Sequence, residues 1–281
     1  QAWLRLFPVS AMIRFGSIQK AKDPVQQMEA LLSFLGLASP DQWETMVGGV
    51  EGQVAFRKSA AFDVDKAALV AWLRAGEIEG RSVECAPFEP KRFVQTLKEV
   101  RSLTRASSDV FQPEVTRLCA ACGVAVVFVP ELPKARVSGA TRWLSPNKAL
   151  LQLSFRYKAD DHLWFSFFHE AGHILKHGKR EIFVEGSNAE MDEAKEAEAD
   201  AFAENVLIPP PAYRRFLAEG RTTKAAITAF ADELGIAPGM VVGRLQHDGV
   251  IPHSHCNDLK KRLDWTGGTN PEPMAHVALF T

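Results

Sequence analysis

The chain has little that would fix an oxidising compartment, a membrane or a polyanionic partner. Four cysteines, Cys85, Cys119, Cys122 and Cys256, are too few and too irregularly spaced for a secreted disulfide framework, so reduced thiols are expected. A formal net charge of −1 over 281 residues removes the broad positive footprint of a dedicated nucleic-acid binder. It leaves only local patches such as Lys260, Lys261 and Arg262. No apolar run approaches the roughly 20 residues needed to span a bilayer, the longest lying at 123–129, and the N-terminus lacks a signal-peptide layout. No internal repeat or low-complexity tract is present. The expectation is a soluble, cytoplasmic globular protein whose length suggests two domains.

What the sequence does hold is concentrated at 160–210. His169, Glu170 and His173 stand as H-E-A-G-H, followed at a distance by the run Glu196-Ala197-Glu198-Ala199-Asp200. Trp164, Phe168, Ala171 and Leu175 recur at helical spacing, which predicts one amphipathic helix with Asp160 or Asp161 as N-cap and Gly178 at its end. Residues four apart lie above one another on a helix, so His169 and His173 can grip one metal ion. Glu170, one step round, then reaches the water that such an ion activates. A second helix at 191–206 places Glu196 and Asp200 on one face, with Glu198 pointing roughly the other way. Glu196 is the expected third ligand and Glu198 the alternative. Asp200 is expected to receive the free ring N–H of a ligand histidine. Zn2+ suits this donor set, with manganese or iron as competitors.

The two motifs resemble the ImmA/IrrE family of metallopeptidases: F-S-F-F-H-E-A-G-H-I-L-K-H at 165–177 and E-A-E-A-D-A-F-A-E-N-V-L-I-P at 196–209, in that order. The similarity extends upstream through Ser138-Gly139-Ala140 and downstream to about Val250. The resemblance implies an α+β, zincin-like domain with a small antiparallel or mixed sheet and an active-site helix. It also implies zinc-dependent peptide hydrolysis, with Glu170 as the base. Its implied substrate is a helix-turn-helix repressor, cut to switch on stress, mobile-element or phage-defence genes. The N-terminal part resembles longer, regulator-type members in which a DNA-binding domain precedes the peptidase. DNA contact would then come only through a domain upstream of this chain, and Gln1 in place of Met agrees with a trimmed start. A homodimer fits the same picture. The rival expectation is a non-enzymatic, antitoxin-like regulator that uses the zincin fold as a sensor or dimerisation body.

Taken in order, residues 1–86 read as an all-helical linker or interaction module. Val25, Met28, Leu31, Leu32 and Leu35 form an apolar stripe, Ser39-Pro40 opens a helix, and a third helix starts at Asp63 or Asp65 and closes at Gly76. Gly80, Ser82, Pro87 and Pro90 mark the boundary. The peptidase domain spans 87–265 and a tail follows at 266–281. Within the domain, helices are expected from Pro90 and from about Pro113 to Ala121, then strands at 124–129, 137–144 and 149–155. The last strand is expected at the cleft edge, where a substrate backbone could add to the sheet. Helices at 226–234 and 238–246 have a helix-turn-helix rhythm but few base-reading side chains, and read as the domain's tail.

Further groups have both a functional and a plain reading. Cys119 and Cys122 fit buried side chains at a helix end better than a redox pair. In His253-Ser254-His255-Cys256, Cys256 could occupy an open zinc position in a latent state. His177 continues the face of His169 and His173 as an outer partner, or interacts with the helix C-terminus. Tyr213, Arg142, His162 and Tyr157 are open choices for an oxyanion donor.

Overall fold

The β-branched and apolar run after Gly123 forms the first strand of a four-stranded sheet. The computed structural model describes residues 2–47, 66–179, 181–185 and 193–263. The strands are β1 (Val124–Phe128), β2 (Gly139–Ser145), β3 (Lys148–Leu153) and β4 (Phe183–Glu185), in the order β1-β3-β2-β4. β1 runs parallel to β3, while β2 is antiparallel to both β3 and β4. The expectation that β3 lies at the edge is therefore corrected. Neighbours on both sides use its backbone donors and acceptors, so it has no free edge for a substrate strand. The edge nearest the H-E-A-G-H helix is β4, too short to announce itself in the sequence.

Both faces of the sheet are buried, so β1 reads as a continuous apolar run, and in β3 even the polar Gln152 is buried. Val124, Val126, Leu151 and Leu153 face one core, and Ala125, Val127 and Leu150 face the other. The first core is covered by α4 (Pro90–Ser102), α5 (Ser108–Ala120) and α6 (Asp160–Lys176). The second is covered by α1 (Val9–Arg14), α2 (Pro24–Leu35) and α3 (Lys66–Ser82).

The helix α3 runs past Gly76, where the sequence suggested its end. A Cβ at Gly76 would lie 1.8 Å from Gln152 Oε1 and one at Gly80 would lie 2.5 Å from Leu150 Cδ1, so these glycines let the helix settle on the sheet. Gln152 Nε2 donates to the Trp72 carbonyl at 2.7 Å, and Trp72 Nε1 donates to the Val129 carbonyl at 3.2 Å. Packing thus runs across the glycine- and proline-marked link at residues 80–90. The expected start of α3 at Asp63 or Asp65 and the tail at 266–281 lie outside the described residues.

Two helix starts also differ from expectation. The helix α5 begins at Ser108, with Pro113 inside it, because the helix extends one turn before the proline that would ordinarily open it. In α6 the N-cap is Ala159, and both Asp160 and Asp161 fall in the first turn, where negative charge complements the helix dipole. Asp160 Oδ1 accepts from the backbone N–H of Asp161 at 2.9 Å and of Lys261 at 3.0 Å, which ties the C-terminal strap to the start of α6.

The chain closes with α7 (Glu193–Leu207), α8 (Pro210–Ala218), α9 (Lys224–Leu234) and α10 (Pro238–His247). The slim face of α7, with Ala199 and Ala203 buried, lies against α6 at Gly172, where a Cβ would come within 3.2 Å of the Ala199 Cα. The pair α9 and α10 turns through Gly235, whose φ of 69° favours glycine. Met240, Val241, Val242 and Leu245 are buried on α10, so it serves the core as the tail of the domain and offers no open recognition face.

Candidate metal centre

Three side chains from two helices converge on one point. His169 Nε2 and His173 Nε2 are 2.9 Å apart, and the Glu196 carboxylate lies 3.3 Å from the first and 3.1 Å from the second. A tetrahedral ion with bonds of about 2.0–2.2 Å would set its donors about 3.3–3.6 Å apart, so the grouping fits a single divalent cation with little movement. The antiparallel packing of α6 against α7 makes this possible, because it brings Glu196 opposite the turn between the two histidines.

The outer ring nitrogens are engaged elsewhere, which orients the inner ones. Asp200 Oδ1 lies 2.8 Å from His169 Nδ1, as expected for a carboxylate that fixes a histidine tautomer. His177, the residue that ends α6, places its Nδ1 2.8 Å from His173 Nδ1. Phe183 of β4 stacks on the His173 ring, with centroids 4.0 Å apart and planes 16° apart. Glu198 lies over His177, at 3.4 Å from its Nε2, and does not join the three converging groups. Cys256 caps the short turn Asn257–Leu259 and is likewise outside that grouping, so the latent-state arrangement imagined for it is not formed.

Glu170 is fully buried, and neither carboxylate oxygen has a hydrogen-bond partner among the described residues. Burial pushes its pKa up to about 8, opposed by the neighbouring His169 and reinforced by Glu185. Its room is made by Gly139 at the start of β2, where a Cβ would come 2.8 Å from Glu170 Cγ and 2.9 Å from Oε1. The Glu196 carboxyl is also desolvated by burial, yet hydrogen bonds from His169 and His173 hold its pKa below the usual carboxylate range. His169 shows the converse. Burial disfavours its cation, but Asp200 and Glu196 outweigh this and hold the pKa well above the ordinary histidine value. The two carboxylates thus favour positive charge on His169, whereas burial, reinforced by the neighbouring His169, holds the pKa of His173 below the ordinary histidine value.

Residues 126–246 match the model of the IrrE N-terminal-like domain, Peptidase_M78. Over this span the chain is similar to the metallopeptidase domain of the ImmA/IrrE family. Its matched span starts in β1 and ends in α10, so it includes the sheet, the H-E-A-G-H helix, both carboxylates of α7 and the α9–α10 pair. No curated protein matches the chain. A metallopeptidase domain implies a metal, and His169, His173 and Glu196 are the residues that fit one here. No single helix among the described residues is long and apolar enough to cross a membrane.

Sequence reasoning missed three residues of this site: Gly139, Phe183 and Glu185. A glycine inside a strand pattern is a signal for close approach, and Gly139 carried it. Phe183 and Glu185 sit on the three-residue β4 and had no local signal. Of the open oxyanion choices, Arg142 is bound to Glu77 at 2.7 Å on the α3 side of the sheet, and the Tyr213 hydroxyl donates to Asp248 at 2.8 Å. Tyr157 and His162, with ring centroids 4.4 Å apart and planes tilted by 30°, line a cavity beside the metal centre.

Proposed function

We propose that the protein is a zinc-dependent endopeptidase that cuts a helix-turn-helix repressor and so relieves repression. The observation that carries the reading is the Glu170 carboxylate, buried beside His169 with neither oxygen hydrogen-bonded among the described residues. A carboxylate kept there costs stability unless it has work to do. In this reading His169, His173 and Glu196 hold the ion, and Asp200 keeps the His169 ring turned toward it. Zinc in this position supplies a Lewis acid that acidifies water and polarises a carbonyl. Glu170 accepts the proton of the attacking water and delivers it to the departing amine, a role that suits a pKa near neutrality. Gly139 leaves the space in which that carboxyl group moves. The repressor as substrate rests on the family resemblance.

The test compares the full chain with Glu170→Gln against a co-expressed helix-turn-helix repressor. The variant keeps its zinc, measured by elemental analysis, and leaves the repressor uncut on gels. Equal processing by both forms would rule the mechanism out.

A further inference from the structure

A cavity of about 370 Å³ continues the groove between α6 and α7 away from the metal centre. Asp161 and Phe165 line it from α6, about two turns and one turn before His169 on the same side of the helix. From α7 it is lined by Asp200 and Leu207, which continue the side that bears Glu196. Met240 of α10 contributes to the apolar wall, and Glu185 stands with Asp200 at the metal end.

The polar groups of this wall are unevenly matched. Arg244 is already held by Glu204 at 3.0 Å and by Asp248 at 2.8 Å. Arg156 pairs with Glu131 at 3.7 Å and donates to the Arg136 carbonyl. By contrast, among the described residues Glu185 Oε2 and Asp161 Oδ1 are buried carboxylate oxygens with no hydrogen-bond partner, although Ser166 hydrogen-bonds the Glu185 carboxyl group, and Asp161 is itself only 8% exposed. The other Asp161 oxygen is taken by Lys260 at 2.6 Å. The arginines of the wall are thus engaged by other acceptors, while two carboxylate oxygens beside an apolar surface stand unmatched, and a buried acceptor left unmatched is costly. A ligand group with a long aliphatic stem and a cationic, donor-rich end satisfies both features.

We infer that this cavity is a specificity pocket for a lysine or arginine side chain of the substrate, close to the scissile bond, with Glu185 as the residue that selects it. The inference deepens the peptidase reading and rests on it for its connection to cleavage. The neighbouring set Glu204, His247 and Asp248 could be read as a second cation site, but Arg244 already fills that role.

The experiment incubates the zinc-loaded full chain with a mixed peptide library and maps the cut sites by mass spectrometry. Wild type is expected to favour a basic residue at one position flanking the cut. In Glu185→Gln, the ratio of kcat/KM for an arginine peptide over its norleucine counterpart should fall about tenfold or more, mainly through KM. In Glu185→Lys the preference should shift toward acidic residues at that position. Thermal melts and zinc content of both variants serve as fold controls. Cleavage with no basic preference, or with a preference that Glu185→Gln does not change, overturns the pocket assignment and leaves the peptidase reading intact. If no peptide is cut, the peptidase reading fails, and anisotropy of the labelled arginine and norleucine peptides decides the pocket separately. Equal binding of the two would overturn it, while arginine-selective binding lost in Glu185→Gln would sustain it.

Discussion

Asp200 Oδ1 sits 2.8 Å from Nδ1 of His169, so one turn of α7 supplies both Glu196 for the converging group and the carboxylate that aims its first imidazole. Without Asp200, the His169 ring is free to turn or to change tautomer. In Asp200→Asn the affinity for zinc is expected to fall about 10- to 100-fold, while the melting curve of the metal-free chain moves little. Competition against a chromophoric chelator reads the first quantity. An unchanged zinc affinity would show that Asp200 is a surface carboxylate and nothing more.

Gly139 governs Glu170 from a different element. A methyl group there would meet Glu170 Cγ at 2.8 Å, so the buried carboxylate side chain would have to shift. Gly139→Ala is expected to retain zinc and to lose about 100-fold in repressor cleavage, since a displacement of about 1 Å at a reacting group costs that much. Full activity in a variant of normal stability would place Glu170 outside the chemistry.

On the opposite face of the sheet, Glu77 is gripped by Arg142 at 2.7 Å, Arg74 at 2.9 Å and Arg81 at 2.8 Å. Burial raises its pKa, but the charge of Arg142 and the hydrogen bonds from Arg81 and Arg74 outweigh this and bring it down to about 2. A carboxyl whose folded pKa lies below its unfolded value stabilises the fold fully above the unfolded value and loses that contribution as pH falls. Acid titration of the melting free energy should therefore show a decline between about pH 4.5 and 2 that Glu77→Gln lacks. Its size should be about 2 kcal/mol, allowing for solvent reaching the cluster around Arg81. Parallel acid profiles for the two proteins would contradict this account.

The contact of α3 with the sheet has its own test. Gly76→Ala drives a methyl group into the Gln152 side chain, whose amide donates to the Trp72 carbonyl. The expected loss is about 1–3 kcal/mol by chemical denaturation. Gly36→Ala is a useful comparison, because its φ of 74° makes the strain local and leaves the sheet contact untouched. A Gly76 variant as stable as the parent would mean that α3 rests on the sheet more loosely than its distances indicate.

The order of residues along single helices was enough to find most of the centre. Helical spacing alone puts His169 above His173 and Glu196 above Asp200, and those relationships survive whatever the rest of the chain does. The apolar run of β1 was legible in the sequence, whereas the burial of the polar Gln152 in β3 was not. By contrast, the N-cap of α6, the extension of α3 past Gly76 and the central place of β3 were read wrongly from local signals. Each is settled by a partner distant in sequence: Lys261 for Asp160, Gln152 for Gly76, and the joint pairing of β1 and β2 for β3.

The sequence by itself therefore determined the chemistry within each helix: which donors exist and which share a face. Only the tertiary structure decided that α6 and α7 pack so that two imidazoles and Glu196 meet, that Gly139 makes space for Glu170, and that Glu185 arrives from β4 with one carboxylate oxygen unmatched among the described residues. The physical reason is range. Helix periodicity is set by bonds between residues three and four apart, whereas strand order and helix contact follow from burying apolar faces that are far apart along the chain.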